Sequence, residues 1–165
     1  EYDPYYARYI SRVPDGDLIE ILSNQIVEPS ALLGSVPESK ASARYAPGKW
    51  SIKEVVGHLS DTERIFSYRA LRFARGDATP LPGFEQDDYV KAANFDARQL
   101  TELVSEFRAV RQTTVALFKS FDEEALRRRG VASGKPISVR ALAYNVAGHE
   151  LHHVEILRMR YQLGG

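Results

Sequence analysis

The stretch Trp50-Ser51-Ile52-Lys53-Glu54-Val55-Val56-Gly57-His58-Leu59 carries the start of a helix and its first apolar turns. Ser51 and Glu54 stand at the two positions of a capping box, in which hydroxyl and carboxylate each accept a backbone N–H from the other residue. Trp50 and Val55 occupy the two ends of a hydrophobic staple across the same start. Apolar residues then recur at Val55, Val56, Leu59, Phe66, Ala70 and Phe73 with helical spacing, and Gly76 supplies a stop. His58 is in phase with Val55, Thr62 and Ile65, so it belongs to the face turned toward a core.

A second histidine-bearing helix follows much later. Ser138 is placed to cap it, and the helix is expected to run to about Tyr161, before Gly164-Gly165. Leu142, Val146, His149, His153, Ile156 and Arg160 follow one another at intervals of 4, 3, 4, 3 and 4. Two histidines therefore share the core-facing stripe, one turn apart.

Two further helices complete the pattern. One begins near Asp17, where Asp17-Leu18-Ile19-Glu20 resembles a capping box, and continues through Leu22, Ile26, Leu33 and Val36 with a kink or break expected at Pro29. The other starts at Asp96 and shows Leu100, Leu103, Val104, Phe107, Val110, Thr114, Leu117, Phe118 and Phe121 along one stripe. Residues 77–95, with Pro80, Pro82 and Gly83, form a connection long enough to cross a bundle or to serve a site. A short turn (Asp122 to Arg128) and a Gly/Ser/Pro loop (Gly130 to Pro136) precede the last helix, and Tyr2-Asp3-Pro4-Tyr5-Tyr6 reads as an aromatic strap rather than a regular element. No segment shows convincing strand alternation. The expected fold is all-α: one domain over residues 1–165, a four-helix bundle with a long crossover connection.

Composition narrows the function. The 165 residues include 22 basic and 22 acidic side chains, so the net charge is zero and no global electropositive footprint for nucleic acid exists. The run Arg127-Arg128-Arg129 reads as a solvated helix end. With no cysteine, the chain has no disulfide framework, thiolate zinc site, iron–sulfur cluster or cysteine nucleophile. No apolar stretch approaches the ~18 residues of a membrane span. A cytoplasmic protein with no membrane partner is expected, and a leader trimmed ahead of Glu1 stays open.

Four histidines remain, His58, His149, His152 and His153. Imidazoles at i and i+4 stand one above the other and converge on one ion, and His58 from a facing helix would complete a three-histidine face with positions left for water or substrate. His152 lies about 100° around the helix from His153 and is read as a bystander. Asp61, one turn beyond His58, is a candidate outer partner for a ligating imidazole or a proton-handling base. His149-Glu150-Leu151-His152-His153 also matches the His-Glu-x-x-His pattern, which makes Glu150 a candidate base. A zinc peptidase does not follow, because only twelve residues remain downstream for a third ligand.

With Gly48-Lys49-Trp50-Ser51 through Leu59 and Gly148-His149-Glu150-Leu151-His152-His153 in view, the chain resembles the DinB-like (YfiT-like) proteins. Arg12-Val13-Pro14, Asp61-Thr62-Glu63-Arg64 and Leu81-Pro82-Gly83-Phe84 extend the resemblance over nearly the whole chain. It implies a four-helix bundle holding a divalent metal, nickel or zinc in the first place and manganese or iron after them, on three histidines. Carried over, these are His58, His149 and His153, the same three that helical phase selects. Some members of that family are thiol-dependent transferases or isomerases and others are metal-dependent hydrolases, and such proteins are frequently dimers, so a homodimer is expected.

The leading expectation is a metal-dependent enzyme of S-transferase type. It would bind a low-molecular-weight thiol, lower the thiol pKa and present a thiolate to a small-molecule electrophile. The alternatives are a hydrolase using metal-bound water, with Glu150 or Asp61 managing protons, and a non-catalytic, metal-stabilised stress or binding module. Phe84 and Tyr89, in the long connection, are candidates to cap a substrate pocket.

Overall fold

In the computed structural model, which describes residues 1–164, eight α-helices and one hairpin are present among the described residues. They are α1 (Ala7–Ile10), α2 (Leu18–Gln25), α3 (Val27–Gly34), α4 (Ile52–Ala74), α5 (Gln86–Ala93), α6 (Leu100–Lys119), α7 (Glu123–Arg127), β1 (Arg129–Ala132), β2 (Lys135–Ser138) and α8 (Val139–Met159). Gly165, the last residue of the expected domain, lies outside the described residues. No helix among the described residues is long and apolar enough to cross a membrane.

The capping box at Ser51 forms in full: Glu54 N–H donates to Ser51 Oγ (3.1 Å) and Ser51 N–H to Glu54 Oε2 (2.7 Å). Helix α4 stops in a Schellman arrangement, with Gly76 N–H on Phe73 O and Asp77 N–H on Arg72 O, both 3.0 Å. Gly76 takes the left-handed conformation (φ 80°) that this stop requires.

Four rods make the bundle: α2 with α3, then α4, α6 and α8. Helix α4 packs on α6 and on α8, while α2 contacts the same two from the other side. Glu63 meets Arg111 and Ser67 meets Thr114, so α4 and α6 run parallel. His58 meets His149 while Trp50 packs toward His153, so α8 runs antiparallel to α4. Parallel neighbours require a connection that returns along the bundle, and the segment from Arg75 to Gln99 supplies the expected crossover. One apolar cluster gathers the N-terminal half of α4 with the C-terminal half of α8, and a second gathers the opposite halves.

The structure corrects several local readings. The first helix is two, α2 and α3, broken at Ile26 rather than at Pro29. Pro29 has no N–H for the Gln25 carbonyl one turn earlier and its ring crowds that carbonyl, so the break falls N-terminal to the proline. The third helix starts at Leu100 rather than Asp96, because Asp96 lies in a short turn where its carboxylate accepts from Ser51 Oγ (2.5 Å) and Arg44 Nη2 (2.7 Å). The strap is partly regular: a 3-10 turn (Pro4–Tyr6) runs into α1.

Two strands also occur where none was expected. β1 and β2 pair antiparallel around Ser133-Gly134, both at positive φ (54° and 73°), as a two-residue hairpin turn of the primed kind requires. Four-residue strands are too short to show alternation. Leu81 from the crossover pairs beside this hairpin, and Tyr6 donates its hydroxyl to Ala132 O (3.1 Å).

Candidate metal centre

Helices α4 and α8 bring His58, His149 and His153 together in the bundle interior, with each residue offering one ligand atom within 4.8 Å of the others. Their ring centroids are 4.6 to 5.0 Å apart, and His58 Nε2 lies 3.1 Å from His149 Nε2. All three are buried, 2, 5 and 8 % exposed. Burial lowers the His58 pKa to about 4 and carries His149 and His153 well below the ordinary imidazole value, with the neighbouring histidines adding to the effect. All three rings are therefore neutral near pH 7, the form in which an imidazole nitrogen donates a lone pair.

The arrangement fits a divalent ion. Two nitrogens each about 2.1 Å from one ion at tetrahedral or right angles stand roughly 3.0–3.4 Å apart, which matches the His58–His149 separation. His153 Nδ1 is buried with no hydrogen-bond partner among the described residues, a cost that coordination of an ion would offset. Thr62 Oγ1, 3.3 Å from His58 Nδ1, lies where it fixes that ring's orientation.

Aromatic rings wall the group. Trp50 lies 4.6 Å from His58 and 6.4 Å from His153, centroid to centroid, while Tyr9 and Phe66 meet His149 edge-on at 5.3 and 5.9 Å. Tyr9 reaches this place because residue 148 is glycine: a Cβ there would stand 2.0 Å from Tyr9 O. Two clefts reach the histidines. One, about 360 Å³, passes Trp50 and Tyr161 to His153, and the other, about 510 Å³, passes Phe66 and Thr62 to His58 and His149. His152 is half-buried and borders both. Phe84 lines the larger cleft, whereas Tyr89 is 48 % exposed and packs on Phe84.

Neither carboxylate expected to act as a base joins the histidine group. Glu150 is 2 % exposed and turns to Arg111, whose Nη2 stands 2.5 Å from Glu150 Oε2 as a close ion pair without hydrogen-bond alignment. Burial pushes the Glu150 carboxyl up to about 7 even beside that guanidinium. Asp61 sits beside Arg64 (3.6 Å) and borders neither cleft; burial raises its pKa, against the pull of Arg64. Sequence reasoning missed Arg111, Trp50's contact with the rings, Tyr9 and Asn145. Arg111 was detectable, since it falls four residues after Phe107 and three before Thr114, inside an apolar stripe.

A helical bundle with a buried three-histidine group facing two clefts defines the class: a bundle of parallel and antiparallel helix pairs with a candidate metal centre inside it. Residues 28–157 match the DinB superfamily, and the chain belongs to that family. It is 25% identical over 143 residues to a protein of Oceanobacillus iheyensis named "Putative metal-dependent hydrolase OB0413", covering 86% of this chain and 80% of that one. Among solved structures it is similar to YfiT from Bacillus subtilis, described as a probable metal-dependent hydrolase with an unusual four-helix bundle topology. The TM-score is 0.73 at 16% identity over 88% of this chain and 91% of that one. It is also similar to the mycothiol-dependent maleylpyruvate isomerase, with TM-score 0.71 at 12% identity over 88% of this chain and 61% of that chain.

Proposed function

We propose that this protein is a divalent-metal-dependent enzyme that activates an external low-molecular-weight thiol for attack on a small-molecule electrophile. His58, His149 and His153 would hold the ion, for which nickel or zinc suits the all-imidazole donor set. Such an ion supplies Lewis acidity, lowering the pKa of the thiol or water that it binds.

The observation that carries the reading is the pair of clefts that meet at one buried histidine group. Two approaches suit two reactants. The cleft past Trp50 admits one and the cleft past Phe66 the other, with Trp50 and Tyr9 keeping water from the rings between them. The two carboxylates that the sequence offers as bases support this reading over a hydrolysis assisted by them, since Glu150 is engaged with Arg111 and Asp61 borders neither cleft. The absence of cysteine means that no protein thiol competes for the ion or the electrophile. A hydrolase is the second reading, favoured by the names of the Oceanobacillus and Bacillus relatives.

The test is spectroscopic. Cobalt- or nickel-loaded protein is titrated with several small thiols, and a sulfur-to-metal charge-transfer band is expected with at least one. No band with any thiol, together with turnover of ester or amide substrates, decides for the hydrolase.

A further inference from the structure

The larger cleft holds two polar groups that the histidine site does not use. Asn145 is 0 % exposed, one turn before His149, and neither its Oδ1 nor its Nδ2 has a partner among the described residues. A buried amide with both ends unpaired is a costly arrangement unless something else satisfies it. Arg69 borders the same cleft and is 4 % exposed. Its Nη2 donates to Pro82 O (2.8 Å) and Ser133 Oγ (3.1 Å), leaving Nε and Nη1 without an acceptor among the described residues. Arg111, by contrast, is a buried arginine with two carboxylates; Arg69 has none among the described residues, where the Tyr6 and Tyr5 hydroxyls oppose the burial that lowers its pKa. The cleft's rim adds exposed Arg8 and exposed Glu85, which offset each other.

We propose that the cleft between Arg69 and Asn145 is a subsite for the carboxylate of a small-molecule substrate, whose reacting end extends to the histidines. This rests on the reading of those histidines as the reaction centre. Arg69 neutralises one negative charge, and the Asn145 amide donates to a carboxylate oxygen. One guanidinium and one amide match the single charge and two oxygens of a carboxylate. A phosphate, with up to two charges and three free oxygens, would leave acceptors unpaired here.

Succinate and its neutral analogue succinamide are the probes, titrated by calorimetry into the purified protein. Saturable binding is expected for succinate and not for succinamide, weakened roughly tenfold or more in Arg69→Met and in Asn145→Leu. Because Arg69 also holds Pro82 and Ser133, the unsubstituted protein is followed in parallel by NMR. There the Arg69 Nε–H and Asn145 side-chain amide signals are expected to move with succinate only. Stationary signals at saturating succinate, equal binding of succinamide, or tighter binding of inorganic phosphate would each overturn the assignment. The metal reading fails separately, since a protein that takes up no metal and still binds succinate at Arg69 keeps the subsite and loses the thiol chemistry.

Discussion

Arg111 grips Glu63 with two parallel bonds, Nε to Oε1 at 2.8 Å and Nη2 to Oε2 at 2.9 Å, in the middle of the bundle. The guanidinium also touches Glu150 and donates from Nη1 to Leu22 O (3.1 Å), so one side chain ties α2, α4, α6 and α8. Helix α8 is thereby tied to α4 in two ways, through Arg111 between Glu150 and Glu63 and through His149 and His153 on either side of Glu150.

Removing the guanidinium should be severe. Arg111→Ala leaves two buried carboxylates facing each other and is expected to cost about 3–5 kcal/mol. The midpoint of urea unfolding measures it. The triple change Glu63→Met, Arg111→Leu, Glu150→Leu is expected to recover most of that loss, since no buried charge remains. A triple variant as unstable as Arg111→Ala would show that the cost lies in packing.

Metal content separates the four histidines. His58→Ala, His149→Ala and His153→Ala are each expected to fall to below about a tenth of the parent's metal stoichiometry, because two imidazoles make an incomplete site. His152→Ala is expected to stay near the parent value. Elemental analysis of the purified variants decides, and stoichiometric metal in His149→Ala would remove the assignment.

Gly148→Ala tests the close approach of α1 to α8. A methyl group would stand 2.0 Å from Tyr9 O, so α1 must move off the helix. A loss of roughly 1–3 kcal/mol and faster proteolysis within residues 1–16 are expected. An unchanged digestion pattern would mean that the segment has room to shift.

Tyr161 makes the protein sensitive to alkali. Its hydroxyl donates to Trp50 O, and burial, with Tyr45 adding to it, raises its pKa to about 12. The folded value lies above the unfolded one of about 10, so the stabilisation is complete below pH 10 and is lost as pH rises toward 12. Tyr161→Phe should flatten this stretch of the stability curve. The residue is partly solvated, so the slope is shallow, and an absorbance titration near 295 nm follows the phenol directly.

Much of this was legible because helical phase is a strong signal over long elements. Ser51 with Glu54, and His149 with His153, each named a place in three dimensions. The same arithmetic reaches the buried charges: Leu59, Glu63, Phe66 and Ala70 share one stripe, as do Val146, Glu150, His153 and Leu157. Glu150 became a candidate base through the His-Glu-x-x-His pattern, which carries no information about the stripe that buries its carboxylate beside Arg111. The hairpin was not legible, because four-residue strands are too short to show alternation and the residues that bridge to them, Leu81 and Tyr2, come from distant parts of the chain. Asn145 shows nothing in sequence, since only its surroundings reveal that it lacks partners.

The glycine at 148 also bears on the order of assembly. The wall that Tyr9 gives to His149 joins α1 to α8, and the Arg12–Glu155 pair beside it spans 143 positions. Closing so large a loop carries an entropic cost that local pairing does not. During synthesis, α4 and α6 can meet long before α8 has emerged, while residues 6–12 must wait unpartnered. The wall over His149 can therefore close only after α8 has been made and has met the bundle, so the first residues of the chain complete a chamber built from its last helix.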